Sequence, residues 1–349
     1  MPAPASTPTA SIIVPCYNEV RTIGALLEAV VSQTVALAEL EVIVADGGSD
    51  DGTREAIQSF GESHPELRLR LVDNPARTIP AALNTAIGQA RGRVVIRLDA
   101  HSAPQPDHVQ RCLVTLERTR AANVGGLWDI RPGAETWVGR AIAAAAAHPL
   151  GAGDARYRID GAEGPVDTVP FGAFDRGWLD KVGKFNEGLL SNEDYEYNVR
   201  IRRAGGVVYF DPAIRSSYTA RPTLRGLARQ YARYGYWKAR MLLRFPGSLR
   251  LRQAVPPMFV LSSLALAATA GFSGSARNAL AIAWALYLAV LLLSGALEAV
   301  RASQPALLVG LPLALITIHV AWGGAFWIGL LTGLASGRPG PSKLGGQSP

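Results

Sequence analysis

The stretch that decides the fold is SIIVPCYNEVRTIGALLEAVVSQTVALAELEVIVADGGSDDGT, residues 11–53. It opens with an apolar run at 11–15, continues through a helical pattern at 20–31, and reaches a second apolar run at 41–45. A strand–helix–strand unit of this kind predicts two parallel strands of one sheet. Because both runs are apolar throughout rather than alternating, we expect both faces of that sheet to be covered.

The same alternation continues to about residue 210. Further strands and helices are predicted in turn: strands at 69–72 and 93–98, with helices at 52–60, 80–90 and 107–120. Three later β-rich runs are expected to extend the sheet: 123–127, 166–174 and 206–210. The pattern therefore predicts an α/β fold with a doubly wound, mainly parallel sheet.

Charge is divided unevenly along the 349 residues. Residues 1–220 hold 22 basic and 27 acidic residues, whereas residues 221–349 hold 13 basic residues and a single acid, Glu298. A basic half suits nucleic acid or an anionic membrane. Here the basic residues adjoin long apolar runs, so the sequence favours membrane lipids and argues against nucleic acid.

Residues 221–252 combine arginines with tyrosines and a tryptophan, which is typical of amphipathic helices at a membrane interface. Three uncharged stretches follow, at 253–276, 278–297 and 302–337. The first two approach the ~20 residues that a membrane span needs. The third contains Pro312, and a single tilted helix, a broken helix and a re-entrant pair all stay open. Arg338 and Lys343 favour a cytosolic C-terminus, whereas three simple crossings would place it outside.

Polar turns follow the predicted strands: PCYNE (15–19), DGGSDDGT (46–53) and DAH (99–101). In an open parallel sheet, ligands bind beyond the carboxyl ends of the strands. Each turn also has an ordinary structural explanation, such as a helix cap or a satisfied turn. Asp46 could accept the imide N–H of a uracil, while Asp99 and His101 could hold a divalent ion on a diphosphate.

The stretch SNEDYEYNVRIRRAG (191–205) places three acids before three arginines. As a helix, it would be capped by Ser191 or Asn192, with acids at the positive end of the helix dipole. Glu196 and Arg200 form a favourable i,i+4 pair. This structural interpretation competes with a catalytic role for one of the acids.

Taken together, SIIVPCYNE, DGGSDDGT, RLDAH and NEDYEYNVRIRRAG resemble glycosyltransferase family 2, the inverting GT-A enzymes, and among them the succinoglycan-type exopolysaccharide enzymes. The resemblance covers about residues 10–245. It implies that the nucleotide-sugar pocket is formed by Pro15, Tyr17, Glu19, Asp46 and Asp99. It also implies that Asp194 is the catalytic base and that Glu193 contacts the acceptor or the leaving group. The stretch RQYARYG (229–235) resembles the Q-x-x-R-W element of processive synthases, which implies the same contacts for Gln230 and Arg233, although a surface role on an interface helix stays open for Arg233.

The resemblance implies a divalent metal, Mn²⁺ or Mg²⁺, at Asp99. His101 stands where the family's D-x-D motif has its second aspartate, so we expect Asp99 and His101 to be the protein's metal ligands. We expect the helix dipole to lower the pKa of Asp194, so that the base is ionised at neutral pH.

The predicted organisation has five parts: a flexible tail (1–9), a GT-A catalytic domain (10–220), interface helices (221–252), membrane helices (253–337) and a C-terminal tail (338–349). The predicted protein is a multi-pass enzyme of the bacterial inner membrane with a cytoplasmic catalytic domain. It would transfer a sugar from a nucleotide-sugar, a UDP-sugar, to a polyprenyl-diphosphate-linked saccharide. Polyprenyl-phosphate transfer, processive synthesis and an inactive membrane scaffold stay open as alternatives.

Overall fold

A computed structural model describes residues 7–159 and 161–335. Parts of the predicted tails, residues 1–6 and 338–349 with Arg338 and Lys343, lie outside these ranges. The described residues form two compact units. The sheet unit holds the residues up to Asp129 together with Ala155–Tyr218, and the helical unit holds Ile130–Asp154 together with the residues from Thr219 on.

The sheet is mixed, with strand order β3-β2-β1-β4-β8-β6-β9-β5 and β7 paired with β9. Its strands are β1 (Ala10–Cys16), β2 (Leu40–Asp46), β3 (Arg68–Asp73), β4 (Val94–Arg97), β5 (Ala103–Pro104), β6 (Asn123–Arg131), β7 (Gly164–Pro165), β8 (Ala173–Asp175) and β9 (Val208–Thr219). The first four strands pair in parallel, whereas β8 is antiparallel to β4 and β6. The predicted α/β fold is confirmed, and the strands that add antiparallel pairs to the parallel ones all follow β4 in the chain.

Helices cover both faces of the parallel strands, because β1, β2 and β4 contribute to two separate apolar clusters. The helices up to residue 203 are α1 (Ile23–Val31), α2 (Thr53–Ser63), α3 (Ile79–Gln89), α4 (His108–Thr119), α5 (Trp137–Ala147), α6 (Pro149–Ala152), α7 (Arg156–Ile159), α8 (Arg176–Val182) and α9 (Glu193–Arg203). Short 3₁₀ turns occur at Leu37–Glu39 and Pro246–Ser248. The free cysteines Cys16 and Cys112 are both buried.

The helical unit contains α5 and α6 from the middle of the chain and four later helices. These are α10 (Leu224–Arg244), α11 (Leu251–Ala270), α12 (Gly274–Arg301) and α13 (Leu307–Ala335). The last three are long and apolar enough to cross a membrane. Within the third apolar stretch, Leu307–Ala335 is one continuous helix despite Pro312. The grouping of Ile130–Asp154 with these helices was not foreseen; the predicted domain boundaries stay a prediction.

Candidate active site

The register of the parallel strands brings the three polar turns to one edge of the sheet. Cys16 at the end of β1 pairs with Asp46 at the end of β2, and Ile13 of β1 pairs with Arg97 at the end of β4. The turns after these strands therefore leave the sheet at the same edge, which is where open parallel sheets bind ligands.

The first two turns are joined by hydrogen bonds. The backbone N–H of Asn18 donates to Ser49 Oγ (2.8 Å), and that of Glu19 donates to Thr53 Oγ1 (2.8 Å). Tyr17 lies between them with 47% of its surface exposed. A Cβ added to Gly47 would lie 3.1 Å from the Tyr17 ring, so the glycine lets the backbone approach the ring closely. An exposed ring beside a glycine turn is a surface on which a base can stack. Pro15 is half-buried at the end of β1.

Asp46 is fully buried, and its carboxylate binds its own turn. It accepts hydrogen bonds from the backbone N–H groups of Gly48 and Ser49 (3.0 Å each), from Ser49 Oγ and from Arg54 Nη1 (2.8 Å). Burial raises the pKa of Asp46, but these donors outweigh burial and the net pKa is lowered. In this structure Asp46 shapes the turn, and its predicted contact with the base stays a prediction.

Arg97 brings together three of the predicted acids. The side chain is almost fully buried; its Nε donates to Asp99 Oδ1 (3.0 Å) and its Nη1 donates to Glu193 Oε1 (3.0 Å) and to Asp194 Oδ1. Asp99 follows β4 and the other two acids begin α9, so one guanidinium joins the turn after β4 to the acidic helix. The structure therefore places Asp99, Glu193 and Asp194 in one cluster.

The pKa of Asp194 is raised to about 7, mainly by burial. Arg97 opposes this rise, while the charges of Glu193 and Asp99 add to it. The expectation of a lowered pKa is therefore wrong, because desolvation and two neighbouring carboxylates outweigh the helix dipole and the arginine. A carboxylate with a pKa near neutrality is well matched to general-base catalysis.

The structural interpretation of the acidic stretch is also confirmed in part. Helix α9 begins at Glu193 after Asn192, which caps it without a side-chain capping hydrogen bond. Arg200 Nε donates to Glu196 Oε1 at 2.9 Å. Glu196 thus serves the helix, whereas Glu193 and Asp194 turn to Arg97.

His101 lies beside Glu19, with its Nδ1 donating to Glu19 Oε1 at 3.0 Å. Burial raises the pKa of Glu19, yet hydrogen bonds from His101 and Thr22 lower it overall. Among residues 7–159 and 161–335, no group of three His, Cys, Asp or Glu side chains is arranged to hold a metal ion. A Mg²⁺ or Mn²⁺ ion that is held by one or two protein ligands and by substrate phosphates does not need such a group. Metal binding by Asp99 and His101 is compatible with this kind of site and stays a prediction.

Gln230 and Arg233 lie on α10 in the helical unit. Gln230 Nε2 donates to Tyr234 Oη at 3.1 Å. The guanidinium of Arg233 lies 6.0 Å from the centre of the Tyr234 ring. Their predicted contact with the acceptor or leaving group stays a prediction.

Two arginines at the sheet edge were not singled out from the sequence. Arg97 is a charged residue at the end of an apolar strand. A charged side chain that is buried there needs acidic partners, so its position was a usable signal. Arg77 lies 5.8 Å from the Tyr17 ring centre, and one of its guanidinium nitrogens would be 3.3 Å from a Cβ on Gly48. The backbone φ of Arg77 is 55°, a left-handed value that the surrounding sequence does not predict.

Comparison with known proteins agrees with this geometry. The model of glycosyl transferase family 2 matches residues 11–183. The succinoglycan biosynthesis protein ExoA of Rhizobium meliloti (strain 1021) is 34% identical over 254 residues, covering 72% of this chain and 75% of that protein. The dolichyl N-acetyl-alpha-D-glucosaminyl phosphate 3-beta-D-2,3-diacetamido-2,3-dideoxy-beta-D-glucuronosyltransferase of Methanococcus voltae is 24% identical, covering 93% of this chain and 97% of that protein.

Among solved structures, the mannosyltransferase PcManGT from Pyrobaculum calidifontis, in complex with GDP-Man and Mn²⁺, has a similar fold. Its TM-score is 0.61 at 23% identity, covering 91% of this chain and 89% of that chain. This similarity supports the GT-A fold, and the family match and the ExoA relative define the enzyme class. The chain is a glycosyltransferase and belongs to glycosyl transferase family 2.

Proposed function

We propose that the protein is an inverting, membrane-bound glycosyltransferase that moves a sugar from a UDP-sugar to a polyprenyl-diphosphate-linked saccharide. The observation that carries this proposal is the cluster in which Arg97 binds Asp99, Glu193 and Asp194. It joins the turn expected to hold the diphosphate to the acid expected to act as base. The relatives support the pathway class, since one is a succinoglycan biosynthesis protein and another is named for a dolichyl-phosphate-linked saccharide.

In the proposed mechanism, Asp194 takes the proton of an acceptor hydroxyl as that oxygen forms a bond to the anomeric carbon. The bond from this carbon to the diphosphate breaks on the opposite face, so the configuration inverts. A divalent ion, when bound at Asp99 and His101, supplies positive charge to the leaving diphosphate. Arg97 holds the base in place, while Tyr17, Pro15 and Glu19 line the nucleotide side.

The membrane part of the proposal depends on the composition of the helical unit. Its helices α11 and α12 are 20 and 28 residues long, and only 6% and 11% of the residues in their most apolar stretches are buried by protein. We place the catalytic domain on the cytoplasmic side, where nucleotide-sugars are made available, and the acceptor lipid in the same membrane. This proposal includes two predicted boundaries: residue 220, where the catalytic domain ends, and residue 252, where the interface helices end and the membrane helices follow.

The test is transfer of radiolabelled sugars from a panel of nucleotide-sugars to membrane lipid extracts, with the label measured in the organic phase. Asp194→Asn should keep donor binding and lose transfer by ~10²–10⁴-fold, the usual contribution of a general base. The matched control is Asp180→Asn, an exposed acid on α8 outside the cluster. Normal transfer by Asp194→Asn would refute the base assignment, and a labelled soluble polymer would favour processive synthesis.

A further inference from the structure

Four aromatic side chains of the sheet unit form a cluster that the proposed mechanism does not use. The Trp128 ring on β6 stacks on the Tyr218 ring on β9, with ring centres 4.3 Å apart and an angle of 3° between the planes. Tyr157 of α7 meets the Trp128 ring edge-on at 5.1 Å, and the Phe171 ring lies 5.6 Å from it. Phe171 is buried, whereas the other three side chains are half-buried. We call Trp128, Tyr157 and Tyr218 the aromatic platform.

The register of the sheet puts Trp128 at the edge that carries the candidate active site. Val124 of β6 and Ile96 of β4 both pair antiparallel with Ala173 of β8, so β4 and β6 run in the same direction. Asp99 is three residues beyond Ile96, and Trp128 is four residues beyond Val124. The two residues therefore reach the same edge of the sheet, two strand spacings or ~10 Å apart across the strands.

The strand order separates the platform from the nucleotide side of the site. Along the edge, the strands follow one another as β2, β1, β4, β8, β6 and β9. The turns with Tyr17 and Asp46 follow β1 and β2, the cluster around Arg97 is at the end of β4, and the stacked rings of the platform are on β6 and β9. The nucleotide turns and the platform are thus on opposite sides of the cluster around Arg97. An acceptor that attacks from the side opposite the leaving diphosphate is expected on the platform's side.

Hydrogen bonds connect the floor of the platform to the catalytic elements. The carbonyl of Gly172, next to Phe171, accepts from the backbone N–H of Arg97 (3.0 Å). In the same loop, Asp167 Oδ2 accepts from the hydroxyl of Tyr195 (3.1 Å), the residue of α9 that follows the base. The loop under the platform is therefore held both to the strand of Arg97 and to the helix of the base.

The composition of the platform suits a sugar ring. A pyranose has C–H groups on its faces and hydroxyls around its rim, so it packs on aromatic faces while nearby polar groups bind its hydroxyls. Two phenol hydroxyls belong to the platform, and the Cζ atom of Arg158 lies 4.9 Å from the Trp128 ring centre and 5.5 Å from those of Tyr157 and Tyr218.

One polar atom of the platform is left unpaired. Within residues 7–159 and 161–335, the buried indole N–H of Trp128 has no hydrogen-bond partner. An unpaired buried donor is unfavourable, and repacking of the rings around a ligand oxygen would pair it. The cluster is therefore not fully satisfied by its own packing.

We propose that the aromatic platform binds a sugar ring of the acceptor, so that the enzyme acts on a lipid that already carries a saccharide. Trp128 and Tyr218 supply the stacking surface, and Tyr157 and Arg158 supply polar contacts at its rim. This inference rests on the proposed function and adds the subsite that recognises the acceptor. It distinguishes a lipid-linked saccharide from polyprenyl phosphate, which has no sugar for the platform to bind.

The test is transfer kinetics with two acceptors: membrane lipid extract, titrated by its lipid phosphorus, and farnesyl phosphate, which carries no sugar. The donor is the nucleotide-sugar that gives transfer to the extract. We expect transfer to the extract and none to farnesyl phosphate. Trp128→Leu and Tyr218→Leu should each raise the KM for the extract about tenfold through the lost stacking contact, without raising the KM for the donor. Trp128→Phe keeps a ring and should raise the KM for the extract less.

The matched control is Trp178→Leu. Trp178 is a half-buried tryptophan of α8, and Asp175, just before this helix, pairs with Val94 at the start of β4, so Trp178 lies at the opposite edge of the sheet. This change should lower the temperature of thermal unfolding but leave the KM for the extract unchanged.

Two results would overturn the inference: a KM for the extract that stays unchanged in Trp128→Leu and Tyr218→Leu, or one that rises equally in Trp128→Leu and Trp178→Leu. Transfer to farnesyl phosphate as efficient as transfer to the extract would overturn it as well. Absence of transfer from every nucleotide-sugar to either acceptor would instead overturn the proposed function itself.

Discussion

The pH dependence of transfer should move in a defined direction when Glu193 is changed to glutamine. Glutamine keeps a carbonyl oxygen that can accept from Arg97 Nη1, as Glu193 Oε1 does at 3.0 Å, but it removes one negative charge beside Asp194. Without the negative charge of Glu193 the pKa of Asp194 is raised less, so the base should ionise at lower pH. Since the reaction needs the ionised base, the acid limb of kcat/KM should move to lower pH.

The size of this movement follows from the shared arginine nitrogen. Glu193 Oε1 and Asp194 Oδ1 both accept from Arg97 Nη1, so the two oxygens are at most about 5.5 Å apart. At that distance two unit charges interact by ~3 kcal/mol at an effective dielectric constant of 20 and by ~0.8 kcal/mol in water, which corresponds to ~2 and ~0.5 pKa units. We therefore expect a shift of about one unit.

With a pKa of about 7, roughly one tenth of Asp194 is ionised at pH 6. A decrease of one unit would raise that fraction to about one half, so kcat/KM at pH 6, relative to the plateau, should increase about fivefold. The assay is kcat/KM for the donor between pH 5 and pH 9, each variant scaled to its own plateau so that lost acceptor contacts do not affect the comparison.

The matched control for this prediction is Glu196→Gln, on the same helix but paired with Arg200. Its acid limb should stay where it is in the unmodified enzyme. A limb that does not move in Glu193→Gln, or that moves equally in both variants, would refute the electrostatic coupling between Glu193 and Asp194.

Three further changes test the same site. Arg97→Met removes the cation shared by three carboxylates, so the free energy of unfolding should fall by about 3–5 kcal/mol and the acid limb should move to higher pH. Arg97→Lys should have smaller effects on both quantities. Thermal unfolding measures the first quantity and pH profiles of transfer measure the second. Asp46→Asn should lower the free energy of unfolding at pH 7 by about 1–3 kcal/mol. Because the pKa of Asp46 is lowered in the folded protein, this difference should shrink as pH falls below about 4, in urea titrations at each pH. Chelation should abolish transfer, and Mn²⁺ should restore it at least as well as Mg²⁺. His101→Ala should raise the Mn²⁺ concentration that gives the half-maximal rate. Full activity after chelation would contradict a metal role.

The parallel strands were predictable because their signal is local. The predicted runs at 11–15 and 41–45 grow by one residue at each end into β1 and β2, since a continuous apolar run needs no knowledge of its partner. The run at 166–174 was misleading, because only Ala173–Asp175 is a strand. Phe171 has a φ of 45°, and Asn198 Nδ2 donates to Thr168 Oγ1 at 3.0 Å, so this segment is a loop held by a distant helix.

The individual acids of the candidate site were predictable from the sequence, but their shared contact with Arg97 was not. Each acid stands beside a recognisable strand end or helix start, whereas the residue that joins them, Arg97, contacts partners 96 and 97 positions away in the chain. Local patterns cannot supply such a pairing, because it depends on how α9 returns to the sheet edge. The same reason explains why Ile130–Asp154 was not assigned to the helical unit: an alanine-rich helix looks the same whichever surface covers it.

The direction of the pKa shift of Asp194 depends on the relative sizes of opposing effects, which a residue pattern does not give. A helix N-terminus stabilises a carboxylate by ~0.3–1 kcal/mol, or less than one pKa unit at an exposed site. Burial can raise the pKa of a carboxyl group by up to 3–5 units, and two nearby carboxylates act in the same direction. The dipole was visible in the sequence, but the larger effects on the pKa, burial first and then the charges of Glu193 and Asp99, arise only when the chain folds. A base held near neutrality by this cluster loses its proton within the physiological pH range, so small changes in the charges around it should change the rate.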